Sequence, residues 1–324
     1  MTLAQLAKEL REYEGVRRKH GIRSIVRSLP LPSGNILASF GEDAAVIDAG
    51  DEVLLLAADG IWDVLMRANE KWAGYCAVLV NLHDIAAMGG TPIAMVDVCS
   101  LRSKRSCSLV SSGMKEAVEK FGVPIVGGHV HPGTSYDAID VAILGKAKRD
   151  AVVYSHTAKV EDDIVAAFDL LGKYYPKNLN GWDSTRLRSG KILRMQLDAM
   201  GALGESKLVN SGKDISNPGI IGTLGMLLEV SGKGAMVDVR AIPKPRGVEL
   251  ERWLKTYPGM GFVVTCSATN TKKVISVFER HLLTAAKVGV VTKKRVLRIT
   301  DGRDEVTVFD FGKEGVTGLK PRAR

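Results

Sequence analysis

Apolar residues recur at helical spacing in six stretches of this chain. Residues 3–29 alternate apolar and basic positions at helical intervals as far as Pro30, which predicts a helix that ends there. The stretch from Lys71 to Gly89 is apolar at most positions and stops at a glycine pair, so a buried helix is predicted. The other predicted helices are 108–122, which ends at Gly122, 183–200, 218–232 and 271–286.

Strands are predicted where short apolar runs are bounded by glycine or other turn residues. Residues 44–60 predict two strands around the turn Ala49-Gly50-Asp51. Residues 53–58 are apolar throughout, as is expected of a strand that is buried on both faces. Residues 123–130 predict a strand that ends at the pair Gly127-Gly128 and runs into a loop. Further strands are predicted at 93–101, 137–147, 164–168, 234–239, 259–267, 287–293 and 295–301.

Both halves of the chain mix helices and strands without a regular strand–helix alternation, which indicates an α+β fold. A length of 324 residues is typical of about two domains. A polar stretch follows Asp150, and we place the boundary there, between an N-terminal domain of residues 1–152 and a C-terminal domain of residues 153–324.

Composition excludes several classes of protein. The four cysteines have no CxxC spacing, which argues against a zinc site or a disulfide framework and favours a reduced, cytoplasmic protein. The N-terminal stretch lacks the apolar core of a signal peptide, and no apolar run reaches membrane-spanning length. The net charge of +9 suits anionic small molecules. Its basic residues are densest near the N-terminus, where they are typical of a solvated helix face, so neither nucleic acid nor a membrane is the expected partner.

Carboxylates next to glycine interrupt the apolar sequence at three places. Asp43 lies in the turn Gly41-Glu42-Asp43 before a strand, and Asp59 ends the strand 53–58. Asp84 lies on the predicted helix 71–89, three residues after Asn81 and therefore on the same face. A buried carboxylate is costly unless it meets a cation, accepts hydrogen bonds or is protonated.

Each of these residues has an ordinary structural interpretation. Asp43 and Asp59 are typical of turns and helix caps, Asp84 could pair with an arginine in the core, and Gly127-Gly128 could form a tight turn. Taken together, the carboxylates favour a Mg²⁺ site, because Mg²⁺ takes oxygen ligands and bridges nucleotide phosphates. Glycine turns at Gly41 and Gly127-Gly128 would let backbone N–H groups approach those phosphates.

The same residues carry a family resemblance. The segments "GEDAAV", "AADG", "WAGYCAVLVNLHDIAAMGGTP" and "VPIVGGH" resemble, in this order, the N-terminal half of the AIR synthetase (PurM-like) superfamily. The segment "KDISNPGIIGTLGMLLEVSGKGAMVD" resembles the DxSDG region of thiamine-monophosphate kinase, a member of that superfamily. The resemblance extends over residues 20–265. It implies an AIR synthetase-like fold, ATP and Mg²⁺ as cofactors, and a homodimer whose N-terminal halves share a β-barrel.

The resemblance also assigns residues to the site. It places Asp43, Asp59 and Asp84 at metal-binding positions, with Asn81 lining the same cleft, and Asp214 at the first carboxylate of DxSD. Catalytic roles are expected for Asp43, Asp84 and His129, and nucleotide contacts for Gly41, Asn81, Gly127, Gly128 and Asp214.

Two departures separate the chain from the kinase. His129 stands where the kinase has aspartate, and Asn217 replaces the second carboxylate of DxSD. The chain also lacks the reactive cysteine of selenophosphate synthetase and the C-terminal cysteine of the hydrogenase-maturation enzyme. The closest resemblance is to the AIR synthase-related branch that includes the methanogenesis marker 2 proteins.

Two functions follow as hypotheses. The first is an ATP- and Mg²⁺-dependent enzyme that transfers a phosphoryl group to a small molecule, or activates an acceptor oxygen as a phosphate. The second is a nucleotide-binding regulatory or scaffold protein that has lost turnover, which the replacements at His129 and Asn217 would favour.

Overall fold

The computed structural model describes residues 1–30, 34–177 and 179–321. Six strands from the first half of the chain form one sheet: β1 (Ile36–Ala38), β2 (Ala45–Ala49), β3 (Glu52–Gly60), β4 (Thr91–Leu101), β5 (Ile125–Pro132) and β6 (Ala138–Lys148). Their order in the sheet is β1-β2-β3-β6-β4-β5. β4 and β5 pair in parallel and the other neighbours are antiparallel. The hairpin of β2 and β3 confirms the predicted turn at Ala49-Gly50-Asp51.

The glycine pair Gly127-Gly128 does not end a strand as predicted. β5 continues through both residues as far as Pro132, because its parallel ladder with β4 extends from Ile125 to Pro132. The register pairs Val96 with Gly127 and Val98 with His129. These residues therefore belong to an edge strand of the sheet.

Three helices connect strands of this sheet. α4 (Asp63–Ala68) and α5 (Glu70–Ala87) lie between β3 and β4 in the chain, and α6 (Lys104–Phe121) lies between β4 and β5. α5 confirms the predicted buried helix, and it packs against α6, β3 and β6. α6 ends at Gly122, as predicted, with a left-handed residue (φ 76°). A helix that is enclosed on several sides has little need of a polar face, which explains the apolar sequence of α5.

Only one face of the first sheet is covered by these helices. Along β3, Val53, Leu55 and Ala57 are buried, whereas Leu56 is 46% exposed. The prediction that residues 53–58 are buried on both faces is thus wrong for the single chain. Val96 and Val98 of β4 are likewise 45% and 43% exposed, so an apolar outer face lies open on this sheet.

A second sheet organises the other half of the chain. Its strands are β7 (Asp163–Phe168), β10 (Ser211–Asp214), β11 (Gly234–Asp238), β13 (Gly261–Cys266), β14 (Thr284–Thr292), β15 (Val296–Thr300) and β16 (Glu305–Asp310), in the order β10-β13-β7-β14-β11-β15-β16. A small sheet is formed by β8 (Lys173–Tyr174), β9 (Gly181–Asp183) and β12 (Tyr257–Pro258). β10 and β16 were not predicted, since neither is a continuous apolar run.

Four helices accompany these sheets: α7 (Gly190–Glu205), α8 (Gly219–Ser231), α9 (Leu250–Leu254) and α10 (Thr271–Arg280). Two predicted boundaries were wrong. The predicted helix 183–200 begins only at Gly190, because residues 181–183 pair in the small sheet and Ser189 caps the helix. The predicted helix 271–286 ends at Arg280, because Thr284 begins β14 against Phe168 of β7.

The N-terminal segment packs against the second half of the chain. The predicted helix 3–29 is divided into α1 (Leu3–Glu12), α2 (Glu14–Arg17), a 3₁₀ turn and α3 (Ile22–Ser28). The break falls at Tyr13, whose backbone is extended (ψ 134°). Leu3, Leu6, Ala7 and Leu10 of α1 belong to the hydrophobic core that also contains the buried side chains of α8.

The α+β class is therefore confirmed, with one sheet in each half. The exact boundary between residues 152 and 153 stays a prediction; β6 ends at Lys148 and β7 begins at Asp163. Within the described residues no helix is both long and apolar enough to cross a membrane. The four cysteines are free thiols.

The packing of α5 on α6 depends on glycine at the point of contact. A Cβ atom added at Gly113 of α6 would lie 1.8 Å from the backbone oxygen of Lys71 in α5. We expect Gly113→Ala to lower the free energy of unfolding by about 1–3 kcal/mol, because the two helices must separate. Urea unfolding of this variant should be compared with that of Ser112→Ala, at the exposed neighbouring position. Equal stability of the two variants would contradict the close packing.

Candidate functional site

A cavity of about 360 Å³ lies where the N-terminal sheet, α5 and the C-terminal half of the chain meet. Its lining residues fall into two chemical groups. Carboxylates, Lys19 and Lys213 form the first group, which we call the acidic end. Aromatic and apolar side chains form the second group: Trp72, Leu79, Tyr175, Trp182 and Tyr257. A cavity that is mostly apolar with a few convergent polar groups is typical of a small-molecule site.

Four separate elements bring carboxylates to the acidic end. Asp43 lies in the turn before β2, Asp59 near the end of β3, Asp84 on α5 and Asp214 at the end of β10. Single carboxylate oxygens of Asp43, Asp84 and Asp214 lie within 4.8 Å of one another. Asp59 lies at the rim of the cavity, where it is exposed. The structure therefore brings the four predicted aspartates to one place.

No arginine pairs with Asp84 among the residues that the structure describes. The charged groups that act on it are instead Asp59, Asp214, Asp43 and Lys213. The interpretation of Asp84 as one half of an arginine pair in the core is thus wrong. Its location among other carboxylates is the arrangement expected of a cation site.

Lys213 of β10 lies within this group of carboxylates, and the sequence did not single it out. Its ammonium group pairs with Asp43 Oδ1, and its side chain is only 8% exposed. The second oxygen of Asp43, Oδ2, is buried without a hydrogen-bond partner in the described structure. The only local signal for Lys213 in the sequence is its position directly before Asp214.

Burial and mutual repulsion raise the pKa values of the clustered carboxyl groups. Burial, followed by the charges of Asp59, Asp214 and Asp43, raises the pKa of Asp84 well above its usual range. Burial and the charge of Asp43 raise the pKa of Asp214 to about 8. Burial alone would lower the pKa of Lys213, but Asp43 and Asp214 raise it above its ordinary value. The lysine is therefore charged, and its single positive charge does not balance the negative charges of the clustered carboxylates.

The turn that carries Asp43 is fixed by its neighbours. Glu42 accepts a hydrogen bond from Ser155 N–H (2.6 Å), and its other oxygen lies 2.6 Å from His156 Nδ1. Gly41 has a positive φ of 102°, and an added Cβ would lie 2.8 Å from Val230 Cγ1. Gly41 lines the cavity, and its contact with a nucleotide stays a prediction. These contacts join the N-terminal sheet to the C-terminal half at the cavity.

Four other predicted site residues do not line the cavity. Asn81 is fully buried and donates from Nδ2 to the backbone oxygen of Ala77 (2.8 Å), outside the cavity lining. Gly127, Gly128 and His129 are exposed on β5. The roles expected of these four residues stay predictions. Asn217 does line the cavity, beside the first turn of α8.

Arg186 and Arg188, which precede α7, have carboxylate partners. Arg188 donates two hydrogen bonds to Asp169 (2.7 and 2.8 Å). Arg186 pairs with Asp183 and also stacks on Tyr175. The distance from its guanidinium carbon to the centroid of the tyrosine ring is 3.8 Å. Both arginines are thus committed to structural contacts.

His83 is a second cavity residue that sequence reasoning did not identify as a ligand contact. It is buried, its Nε2 has no described partner, and its ring lies 5.9 Å from that of Phe262. Burial lowers its pKa to about 4, so the imidazole is neutral near pH 7. A neutral histidine can offer a hydrogen bond to an uncharged ligand group in the cavity that it lines.

A larger cavity of about 610 Å³ opens beside this one and shares Trp72 and Tyr175 with it. Its charged residues have partners nearby, such as Lys71 with Glu116 (3.0 Å) and Arg102 with Asp137 (2.6 Å). No group of clustered carboxylates lines it in the described structure. The smaller cavity is therefore the one suited to cation chemistry.

The raised pKa values predict how stability depends on pH. The pKa of Asp214 is about 8 in the folded protein, whereas its ordinary value is 3.8. The folded protein therefore binds this proton more tightly than the unfolded protein does. Folded protein then holds more protons than unfolded protein in this range, so stability falls as pH rises. The lowered pKa of His83 makes stability rise with pH, but mainly at pH values below its ordinary pKa of 6.5.

Between pH 6.5 and 8 we therefore expect the urea midpoint of chelator-treated protein to decrease with pH. The slope for one group is at most about 1.4 kcal/mol per pH unit. Mg²⁺ should reduce this slope, since a cation replaces the protons, and Asp214→Asn should reduce it without Mg²⁺. Stability that is constant or rises across this window would contradict the crowding of the carboxylates.

Comparisons with known proteins agree with this architecture. The family model described as AIR synthase related protein, N-terminal domain, matches residues 41–147, and the corresponding C-terminal domain model matches residues 176–302. An uncharacterized protein of Methanocaldococcus jannaschii is 47% identical over 323 residues, which cover 98% of this chain and 100% of that protein. A thiamine-monophosphate kinase of Synechococcus elongatus is 25% identical over 305 residues, covering 86% of this chain and 91% of the kinase.

Among solved structures, T. maritima PurL complexed with ATP superposes with a TM-score of 0.78 at 19% identity, covering 100% of this chain and 53% of PurL. The chain thus spans about half the length of PurL. At this identity the likeness concerns the fold, and it confirms the expected two-domain α+β architecture. The shared β-barrel of a homodimer is not tested by it and stays a prediction. From the two matched domains and the full-length likeness to the M. jannaschii protein, the chain belongs to the AIR synthase related protein family.

Proposed function

We propose that this protein is an ATP- and Mg²⁺-dependent enzyme that transfers a phosphoryl group to a small molecule, or activates an acceptor oxygen as a phosphate. The observation that carries the proposal is the group formed by Asp43, Asp84 and Asp214, which converge within 4.8 Å at one end of the cavity. Relatives in the family include a kinase, and PurL is known in complex with ATP.

The carboxylates fit Mg²⁺ by their chemistry and by their lack of partners. Three oxygens from three different elements converge, and Asp43 Oδ2 has no described hydrogen-bond partner although it is buried. A bound Mg²⁺ would neutralise negative charge on the phosphates during transfer. Asp43, Asp84 and Asp214 would hold the ion, and Asp59 at the rim would complete the acidic end.

The chain's own residues would position the nucleotide phosphates in two further ways. Ser216 and Asn217 line the cavity directly before α8, and the N-terminus of a 13-residue helix attracts anions. Gly41 exposes backbone at the same end of the cavity. Among the aromatic residues that line the cavity, Trp72, Trp182 and Tyr257 suit the face of a planar ring. The cavity could thus hold both a phosphate chain and an aromatic group.

The alternative is a nucleotide-binding regulatory protein without turnover. It is favoured by Asn217, which lines the cavity where the resembling kinase has a carboxylate. ATP consumption by the pure protein, measured with Mg²⁺ and a panel of small-molecule acceptors, separates the two functions. Turnover that depends on one acceptor would support the enzyme, and binding without consumption would support the regulator. Mass spectrometry of a co-purified ligand would identify the acceptor.

We also propose a homodimer that is closed through the outer face of the first sheet. Leu56, Val96 and Val98 lie on the same face of the sheet, and each is more than 40% exposed in the single chain. An apolar patch of this kind is typical of a protein interface. His129 shares the register of Val98, so a part played by His129 in nucleotide binding would have to cross that interface.

The cytoplasm is the proposed location, since the four cysteines are free thiols. An oxidising compartment would favour their pairing.

Nucleotide binding can be tested by thermal unfolding. At a ligand concentration a hundred times the dissociation constant, ADP with Mg²⁺ should add about 2.7 kcal/mol to the stability of the folded state. We expect a rise in Tm with millimolar ADP and Mg²⁺ together that exceeds the rise with either alone. An unchanged Tm under all these conditions would remove the basis for both the enzyme and the regulator.

Asp84→Asn separates a role in cation binding from a role in the fold. Without Mg²⁺ the variant should be as stable as the wild type or more so, because Asp84 is crowded by like charges. Its affinity for ADP with Mg²⁺ should fall at least about tenfold, as expected for the loss of a charged ligand. Calorimetric titration measures the affinity, and Asp150→Asn is the matched control on the surface, where Asp150 pairs with Lys207. A stability loss of about 3–5 kcal/mol with unchanged ADP binding would instead indicate a structural ion pair.

The dimer is tested by a charge on the outer face. We expect Leu56→Asp to shift the protein from dimer to monomer at micromolar concentration, because each interface would bury two carboxylates. Light scattering coupled to size-exclusion chromatography reports the mass. Leu187→Asp is the control, since Leu187 is 63% exposed away from this sheet. A wild-type monomer would overturn the proposed dimer.

A further inference from the structure

Lys213 is the least explained group at the acidic end of the cavity. It is buried on β10, whose four residues are all buried, and it lines the cavity between Asp43 and Asp214. An ammonium group has three N–H donors. In the described structure one of the three is used, by Asp43 Oδ1.

A buried ammonium group with unused donors is costly unless a ligand or water completes its hydrogen bonds. Asp43 is itself incompletely bonded, because its Oδ2 lacks a described partner. The ion pair therefore leaves polar capacity on both of its members, and both residues line the cavity. An arrangement selected only to stabilise the fold would be expected to satisfy these groups.

The charges at this end are also mixed. Lys213 and Lys19 are the cationic side chains that line the cavity together with Asp43, Asp59, Asp84 and Asp214. Lys213 pairs with Asp43, and its charge opposes the binding of a free divalent cation. The same charge would assist a ligand that carries both a cation and an anion, such as a nucleotide with Mg²⁺.

We propose that Lys213 is a phosphate-binding residue of this site, which supplies from the protein itself one of the positive charges that the phosphates require. This inference rests on the proposed function. When a Mg²⁺-bound nucleotide enters, the free N–H donors of Lys213 contact a phosphate oxygen while Asp43 keeps its place beside the metal ion. Lys213 thus binds the anionic part of the ligand and repels a metal ion that arrives alone.

The test compares the wild type with Lys213→Gln, which keeps a donor for Asp43 but removes the charge. The matched control is Lys207→Gln, at a surface lysine that pairs with Asp150. Calorimetric titration measures three probes on each protein: Mg²⁺ alone, ADP with Mg²⁺, and inorganic triphosphate with Mg²⁺. Urea unfolding reports the stability of each variant.

We expect Lys213→Gln to change the affinity for phosphate ligands and the affinity for Mg²⁺ alone in opposite directions. Lys213→Gln should bind ADP and triphosphate at least about tenfold more weakly, the loss expected for a charge-assisted hydrogen bond. It should bind Mg²⁺ alone more tightly than the wild type, because a competing cation has been removed. Lys207→Gln should match the wild type for all three probes.

Two results would overturn the inference while leaving the proposed function intact. One is unchanged affinity of Lys213→Gln for ADP and triphosphate. The other is a parallel loss of affinity for Mg²⁺ alone and for both phosphate ligands, which would mean that Lys213 only holds Asp43 in place. If the wild type binds neither phosphate ligand, the proposed function fails and the inference fails with it.

A second comparison applies if Lys213→Gln does not fold. The double variant Asp43→Asn/Lys213→Gln removes both charges of the pair, so no buried charge is left without its partner. Its affinity for triphosphate with Mg²⁺ should be at least about tenfold lower than that of Asp43→Asn alone. Equal affinities of these two proteins would overturn the inference.

Discussion

The crowding of carboxylates around one buried ammonium group is the constraint on which the architecture of the site depends. Asp43, Asp84 and Asp214 come from a turn, a helix and a strand that could approach one another only if their charges were countered. Lys213 supplies one positive charge at the centre, and the raised pKa values show that one is insufficient. The folded chain therefore holds a region that is stabilised by protons or by a cation, according to what is present.

The same constraint explains why the two halves of the chain are joined so closely at the cavity. Glu42 bonds to Ser155 and lies against His156, which ties the turn of Asp43 to the segment that leads into the second sheet. α5 lies between the first sheet and β10, and thus carries Asp84 to Lys213 and Asp214. A cation or nucleotide bound here would contact both halves, so binding would strengthen their association.

Sequence reasoning found Asp43, Asp59 and Asp84 because each is a carboxylate within apolar or glycine-containing sequence, which is costly unless it meets a cation or is protonated. Asp214 was found only through the family resemblance. Sequence reasoning also found α5, the β2–β3 hairpin and the end of α6, where hydrophobic spacing and caps act locally. It missed β10, since "SGKD" has no apolar alternation and becomes a strand only through its ladder with β13. Lys213 was missed for the same reason. The outward position of His129 depends on the pairing of β4 with β5, a long-range contact that no local pattern encodes.

One departure from the resembling kinase lies at the cavity. Asn217 lines the cavity where the resemblance places a carboxylate, and Lys213 lies beside the remaining carboxylates. Both residues weaken the attraction for free divalent cations, while Asp43, Asp84 and Asp214 are present. A site with fewer carboxylates and a built-in cation needs fewer metal ions to balance a phosphate chain. The loss of a kinase-type carboxylate is therefore compatible with retained phosphate chemistry, in which the protein supplies part of the positive charge.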